Sequence, residues 1–306
     1  MTGLADLAEL VRVPAALSVP GDVLAGAAAA GVLDRRTPAL AGASVLLYWA
    51  GMAANDWADR RLDAVERPER PIPSGRVSPP AALGLAAGLT AAGLALAAAA
   101  GGRRATAVAV PLATAVWGYD LLAKNTAAGP AVMAACRGLD VLLGATSAGP
   151  PGAPGARRAG GPASRGGGSP SAGVRLARAL PAALTVAAHT WTVTALSRRE
   201  VSGADRRLPR ATLAGTALVT ASALGGTGPV PAVLAAGYVT RYAGAQARVL
   251  AEPSPGRVRA AVGAGITGLP ALQGALTARA GARLLGLAVA AAAPLGRRLA
   301  RVVSPT

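Results

Sequence analysis

The chain has 306 residues, of which 52% are hydrophobic and 15% charged, and its mean hydropathy is +0.43. Soluble domains carry roughly 25% charged residues, so these values argue against a water-soluble globule. The formal net charge of +17 comes from 31 basic and 14 acidic residues. Because the arginines lie in short segments between apolar stretches, they are typical of membrane topology signals, and we expect no nucleic-acid partner.

The N-terminus and the cysteine content exclude two further classes. Residues 1–14 carry Asp6 and Glu9 and lack the cationic start of a secretory signal, so we expect the first apolar segment to remain in the membrane. The single cysteine, Cys136, excludes an internal disulfide and leaves no zinc cluster.

Apolar stretches close to the ~20 residues needed to cross a bilayer recur along the chain. They show no alternation of period two, so they predict helices and not barrel strands. The fold class is therefore predicted to be all-α, a polytopic transmembrane bundle around a central cavity. The candidate spans lie at about 14–33, 37–55, 79–100, 104–122, 127–148, 174–196, 210–226, 229–247, 257–277 and 281–300.

Two polar stretches set the expected topology. Residues 56–77 and 197–210 each contain five arginines, and each follows an even-numbered span. Both are therefore predicted to lie on one side of the membrane, which the positive-inside rule makes the cytoplasmic side. We expect an integral protein of a bacterial-type cytoplasmic membrane with these loops facing the cytoplasm.

A segment rich in Gly, Pro, Ala and Ser, 149–173, is typical of a linker. It divides the chain into an N-terminal membrane half, 1–148, and a C-terminal half, 174–306. Each half has one polar loop after a pair of apolar helices.

The end of the second predicted span carries Asn55, Asp56, Asp59 and Asp63. On a helix, offsets of three, four and seven residues share one face. Aligned carboxylates at a membrane edge are unfavourable without a countercharge, and Mg²⁺ is often bound by one or two carboxylates together with substrate phosphates. The pattern suggests a magnesium–diphosphate clamp; the alternative is a solvated helix end whose carboxylates pair with neighbouring arginines.

The sequence that follows resembles a known signature. The run from position 55 to 78 reads NDWADRRLDAVERPERPIPSGRVS. It resembles the motif of the UbiA superfamily of intramembrane prenyltransferases: Asn-Asp-x-x-Asp-x-x-x-Asp, an Arg, then Arg-Pro-x-x-Ser-Gly. The resemblance implies nine spans, a Mg²⁺ cofactor and a prenyl diphosphate substrate.

The resemblance also implies residue roles. Asn55, Asp56, Asp59 and Asp63 would bind magnesium, with the three aspartates counted as catalytic. Arg67 and Arg70 would bind the diphosphate, which suits the planar guanidinium fork, and Asn55 is assigned to the diphosphate as well as to the metal. A second similar run, YDLLAK, adds Tyr119 and the only lysine, Lys124, to the diphosphate site, and Lys124 is also assigned a catalytic role.

The sixth span departs from the family pattern, which has a second acidic motif there. This chain has Ser197, Arg198, Arg199 and Glu200, followed by Asp205. Either Glu200 and Asp205 complete a reduced metal site, or arginines replace a cation. We assign Glu200 to the metal and diphosphate site and Arg198 to the diphosphate.

Other residues inside predicted spans have two interpretations. Arg137 is a cation within a span and is assigned to the diphosphate site by default, with Asp140 one turn later as its expected partner. His189 is expected to be a hydrogen-bonded packing residue, with an acid–base role as the alternative. The tryptophans and tyrosines form either interfacial belts or a cavity wall that stabilises a carbocation.

The predicted function is Mg²⁺-dependent ionisation of a prenyl diphosphate and transfer of the prenyl group to an acceptor, aromatic or other. Two alternatives remain open. One is a UbiA-type terpene synthase, which cyclises the prenyl chain without an acceptor. The other is a non-catalytic lipid-binding or transport protein of the bilayer, which the cluster of three aspartates disfavours.

Overall fold

The computed structural model describes residues 3–13, 18–147 and 171–292. Within these ranges the chain is helical and contains no β-strand, which confirms the all-α prediction. The helices are α1 (Leu4–Leu10), α2 (Pro20–Ala30), α3 (Thr37–Glu66), α4 (Pro79–Gly118), α5 (Gly129–Gly144), α6 (Ala172–Ser197), α7 (Arg207–Ala223), α8 (Val230–Ala251), α9 (Pro255–Arg279) and α10 (Arg283–Ala292).

Helix α4 is a hairpin of two antiparallel helices. Gly102 has φ 62° and ψ −152°, a conformation essentially restricted to glycine, and it interrupts the helix. The indole of Trp117 donates a 3.0 Å hydrogen bond to the Thr90 hydroxyl. Twenty-seven residues of unbroken helix would separate these side chains by ~40 Å, so the chain must reverse between them. The hairpin matches the two separate spans predicted at 79–100 and 104–122.

Helix α3 is longer than the predicted span 37–55 and continues to Glu66. The acidic motif therefore lies within a helix, and the first part of the polar stretch 56–77 is not a loop. Arg67 leaves the helical conformation, with φ −146° and ψ 63°. Pro68 explains that end, because a proline disfavours the α conformation in the residue before it.

Helices α2 and α5 pack backbone to backbone. A β-carbon on Gly26 would overlap the carbonyl oxygen of Val141, and one on Gly144 would overlap that of Val23. Glycine permits this approach, which favours helix association where lipid removes the hydrophobic drive. Helix α2 also contacts α6 and α9, and α5 contacts α6.

Three helical stretches of the described chain are long and apolar enough to cross a membrane: Thr37–Glu66, Pro79–Ala123 and Ala172–Ser197. The second contains the hairpin, and α10 is a shorter apolar helix. The number of spans, nine or ten, stays a prediction. Most of the predicted linker 149–173 lies outside the described residues, and the division into two halves is also still a prediction.

Candidate active site

The acidic motif lies on one face of α3 and is bridged by an arginine. Asp56 and Asp63 are buried, with 4% and 1% of their surface exposed. One guanidinium nitrogen of Arg70, Nη1, lies 3.2 Å from Asp56 Oδ1 and 2.8 Å from Asp63 Oδ2. Arg67 reaches Asp63 from the solvent side at 3.5 Å. A single positive group thus lies between two carboxylates.

The N-terminal segment contributes a residue that the sequence did not identify. Arg12 Nη2 lies 2.6 Å from Asp56 Oδ1. Arg12 has φ 49°, and it is the only non-glycine residue with a positive φ in the described ranges. The preceding helix α1 is fixed by Arg76, which binds Asp6 and Glu9, each at 2.7 Å. The loop that follows the acidic motif therefore holds Arg12 over Asp56.

A π-helical turn, Tyr119–Ala123, brings the second predicted group to the same place. Lys124 Nζ lies 2.6 Å from Asp59 Oδ1, and the Lys124 backbone N–H donates to the Tyr119 carbonyl at 2.9 Å. Asn55 donates a 3.0 Å hydrogen bond to the Asp120 carboxylate. Asp120 is buried and joins the site, although only its neighbours Tyr119 and Lys124 were predicted to do so.

The donor atoms of this cluster suit a hard cation. Among the described residues, no group of three or more His, Cys, Asp or Glu side chains is placed to hold a metal ion by itself. Magnesium is often bound by one or two carboxylates together with substrate phosphates, so it does not require such a group. Asp56 and Asp63 share one positive nitrogen of Arg70, and Arg12 contacts the same Asp56 oxygen, so a cation bound by both carboxylates would take the place of these side chains.

The second motif is only partly near this cluster. Arg198 Nη1 donates to the Thr126 carbonyl, in the loop that follows Lys124. Burial raises the pKa of the Glu200 carboxyl, and the nearby Arg259 partly offsets this effect. The Asp205 carboxylate accepts from two backbone N–H groups at the start of α7, at 3.1 and 3.0 Å, and therefore caps that helix. The contacts of Arg198 and Lys124 bring both polar stretches to the same end of the bundle, as predicted.

Two cavities extend from the cluster into the bundle. The smaller, about 230 Å³, is lined by Arg12, Asn55 and Asp120. The larger, about 330 Å³, is mainly apolar and extends between α3, α5, α6 and α9. Four residues line both cavities and mark their junction: Tyr48, Met52, Tyr119 and Met133.

Arg137 lies in the wall of the larger cavity, about two helical turns from the start of α5. Its direct ion pair is with Asp22, at 2.8 Å, and not with Asp140 as the sequence suggested. Asp140 instead accepts a hydrogen bond from Ser44. Gln273 donates to Asp22 at 2.6 Å, so this polar group joins four helices inside the bundle.

His189 has the contacts of a packing residue. Its Nδ1 forms a 2.8 Å hydrogen bond with the Tyr238 hydroxyl, and both Tyr238 and Tyr242 meet its ring edge-on. The other aromatic residues divide between the two predicted roles. Tyr48, Trp49 and Tyr119 line the larger cavity, whereas Trp191 is 40% exposed on the outside of α6.

Comparison with known proteins gives three kinds of match. The profile of the UbiA prenyltransferase family matches residues 17–269. A digeranylgeranylglyceryl phosphate synthase of Methanothrix thermoacetophila is 45% identical over 80 residues, 25% of this chain and 30% of that protein. One from Halobacterium salinarum is 35% identical over 155 residues, 49% of this chain and 54% of that protein. The matched segments thus span about a third to half of these relatives.

Solved structures have the same fold. One, from a study of digeranylgeranylglyceryl phosphate synthase in membranes, has a TM-score of 0.64 at 17% identity and covers 92% of this chain and 99% of that one. The apo structure of a UbiA homolog from Aeropyrum pernix K1 has a TM-score of 0.61 at 19% identity, with 89% and 96% covered. The chain belongs to the UbiA prenyltransferase family.

Proposed function

We propose that the protein ionises a prenyl diphosphate on magnesium and transfers the prenyl group to a lipid acceptor. The observation that carries the proposal is the row of Asp56, Asp59 and Asp63, paired with Arg70, Lys124 and Arg12, on the same helix as residues that line an apolar cavity. Carboxylates that can bind a metal ion, next to cations that can bind phosphate oxygens, suit a metal–diphosphate complex.

Asn55, Asp56, Asp59 and Asp63 would hold Mg²⁺, with Glu200 as a further candidate from the second motif. The bound ion would supply Lewis-acid stabilisation of the diphosphate leaving group. The residues of the chain do the rest: Arg67, Arg70, Lys124 and Arg198 neutralise phosphate oxygens, and Tyr119 lies beside them. These cations disperse the charge that develops as the C–O bond breaks.

Ion pairs with the aspartates hold these cations close to where the diphosphate would bind. Lys124 pairs with Asp59, and Arg70 pairs with Asp56 and Asp63. When the carboxylates are engaged by a metal ion, these side chains are free to turn to the phosphates. The exchange keeps the region close to neutral at each stage, which limits the cost of placing charges at a membrane edge.

The larger cavity accounts for the fate of the prenyl chain. Its walls are mainly apolar and begin beside Tyr119, at the level of the acidic motif. An apolar tail bound there is shielded from water, which would otherwise capture the allylic cation.

The names of the relatives suggest the acceptor. Digeranylgeranylglyceryl phosphate is a glyceryl phosphate that carries two geranylgeranyl groups, and the relatives are named as its synthases. We propose a prenylated glyceryl phosphate, whose free hydroxyl attacks the prenyl carbon. The new C–O bond replaces the bond to diphosphate, and the hydroxyl proton is released.

The test uses purified protein in nanodiscs with Mg²⁺ and geranylgeranyl diphosphate, with and without geranylgeranylglyceryl phosphate. We expect a prenylated lipid and diphosphate, lost with EDTA and reduced at least ~100-fold in Asp56→Ala, equivalent to ~2.7 kcal/mol. Glu66→Ala, an exposed carboxylate on the same helix, is the matched control. Hydrocarbon or alcohol products without acceptor would replace the proposal with a terpene synthase. Unchanged donor in every mixture would favour a non-catalytic protein.

A further inference from the structure

The end of the bundle opposite the acidic motif carries a concentrated positive charge. Both ends of the α4 hairpin adjoin the candidate active site, so its bend at Gly102 lies at the opposite end. The loop before α3 lies there as well, since the acidic motif occupies the second half of that helix. Two pairs of adjacent, exposed arginines mark these two places; together they are called the basic corner, and they are Arg35, Arg36, Arg103 and Arg104.

The two arginine pairs meet because the residues after α5 contact both segments that carry them. A β-carbon on Gly101 would lie 3.4 Å from the hydroxyl oxygen of Thr146, just after the end of α5. The next residue, Ser147, donates a 2.5 Å hydrogen bond to Asp34 Oδ1. The bend of the hairpin and the loop before α3 are therefore neighbours in the folded chain.

The basic corner has little acidic charge near it. Asp34 is the only Asp or Glu in the stretches 23–55 and 70–119, which contain all four arginines. Its Oδ1 accepts hydrogen bonds from the Ser147 hydroxyl and from the backbone N–H groups of Arg36 and Thr37. Within the described ranges, the side chains of the basic corner form no hydrogen bond or ion pair. The corner thus has an excess of positive charge at a membrane boundary, which favours the binding of an anion.

An open groove of about 620 Å³ extends from the basic corner along the outside of the hairpin. It begins at Arg103 and reaches Pro111, eight residues or ~12 Å further along the second helix of the hairpin. The Thr106 hydroxyl, the only one in the groove wall, already donates to the Gly102 carbonyl at 3.1 Å. Further along, Val110 is 45% exposed. The groove therefore has one cationic end and a mainly apolar length, which matches the headgroup and acyl chain of a phospholipid.

We infer that the basic corner and this groove bind an anionic phospholipid of the surrounding bilayer, with the headgroup phosphate at the arginines and an acyl chain along the groove. Guanidinium groups suit this ligand because their planar fork donates two hydrogen bonds to a phosphate. A zwitterionic phospholipid is a poorer ligand, since its own cationic group would face the same arginines. The site lies at the end of the bundle that takes no part in the proposed reaction, and it stands independently of that reaction.

The test measures phospholipid binding to the full-length protein in neutral detergent by native mass spectrometry. Dioleoylphosphatidylglycerol, which is anionic, is compared with zwitterionic dioleoylphosphatidylcholine, and we expect its first molecule to bind at least ~10-fold more tightly. In Arg103→Gln/Arg104→Gln this affinity should fall about 30-fold, or about fivefold for each lost arginine. The control, Arg206→Gln/Arg207→Gln, removes two adjacent exposed arginines at the other end of the bundle and should leave the affinity unchanged.

A second double variant separates the loss of the ligand from a disturbed hairpin. Arg35→Gln/Arg36→Gln leaves α4 untouched and should weaken phosphatidylglycerol binding about 30-fold as well. Wild-type affinity in either double variant of the basic corner would overturn the inference. An equal loss in the control, or equal binding of the two phospholipids, would overturn it too.

The groove and the source of the phosphate are tested separately. Ala107→Phe places a ring in the groove and keeps every arginine, so phosphatidylglycerol affinity should fall about tenfold, as when about two methylene groups lose their burial. Ala91→Phe, at an exposed position of the first helix and outside the groove wall, is the control. Unchanged affinity in Ala107→Phe would overturn the role of the groove. Glycerol phosphate, which has no acyl chain, should bind far more weakly than the lipid, and equal binding would overturn the lipid assignment.

Discussion

The position of Arg70 between two carboxylates predicts how the resting protein responds to metal. In Arg70→Gln, Asp56 and Asp63 lose the positive group that both contact through Nη1. Arg12 and Arg67 still pair with one carboxylate each, but no guanidinium bridges the two, so Mg²⁺ meets less competition between them than in the wild type. We therefore expect the variant to be less stable without metal and more strongly stabilised by Mg²⁺ alone.

The size of both effects follows from the contacts. Hydrogen bonds to charged groups contribute ~1.5–3 kcal/mol each, but the Arg70 side chain is 21% exposed and solvent screens part of this. We take the net loss as ~2 kcal/mol, which lowers Tm by about 4 °C at the ~2 °C per kcal/mol typical of large domains. Magnesium at ten times its Kd returns ~1.4 kcal/mol, or about 3 °C.

The assay is thermal unfolding in detergent at a fixed scan rate, with and without Mg²⁺ and without any prenyl diphosphate. Arg61→Gln removes the same charge from an exposed position on α3 and serves as the control. The wild type and this control should shift by less than ~1 °C with Mg²⁺, because Arg70 still competes with the metal. An equal Mg²⁺ shift in all three proteins would refute the idea that Arg70 occupies a metal position.

Three further substitutions test other parts of the molecule. Gly102→Ala forces alanine into a conformation almost exclusive to glycine and should cost about 1–3 kcal/mol, seen as a lower Tm; Gly88→Ala, with open space around its α-carbon, should not lower it. Asp34 is partly buried, which raises its pKa, but hydrogen bonds from Ser147, Arg36 and Thr37 outweigh this and lower it below 3.8. The ionised Asp34 carboxylate therefore stabilises the folded protein above the pKa of the unfolded chain, and this stabilisation is lost as the pH falls through the lower pKa of the folded protein. Asp34→Asn should make the loss of stability at acid pH less steep, and an unchanged dependence of stability on acid pH would contradict this. Glu200→Gln should raise the Mg²⁺ concentration needed for half-maximal transfer about tenfold if Glu200 is a ligand, and an unchanged requirement would remove it from the metal site.

Much of the architecture was predictable because membrane helices are marked by long apolar runs. The hairpin at Gly102 and the bounds of α6, α8 and α9 follow the predicted spans to within a few residues. The end of α3 was not predicted, since charged residues after position 55 look like a loop by hydropathy alone. In the folded chain those charges are paired across α3 and its neighbours, which allows the helix to continue to Glu66.

The members of the cluster were predictable where a residue lies within a recognisable local motif, and not where only the fold brings it near. The contact between Lys124 and Asp59 agrees with the site assignment of both residues. Arg12 is separated from Asp56 by 44 positions, and no local pattern links them. The sequence could have indicated Asp120 as a site residue, because it lies between Tyr119 and Lys124 in the same run. The predicted partner of Arg137, Asp140, was wrong. Helical spacing favoured Asp140, whereas Asp22, which forms the ion pair, comes from another helix.

The π turn at Tyr119–Ala123 makes the length of this segment matter as much as its composition. A π turn accommodates one residue more than an α turn, and here it places Lys124 five positions after Tyr119 with a direct backbone hydrogen bond between them. If the same residues adopted α geometry, with none removed, Lys124 would rotate by ~100° relative to the preceding helix. The ammonium group would then point away from Asp59. The π turn therefore lets a spacing of five residues place the lysine where an α turn would place a residue four positions after Tyr119.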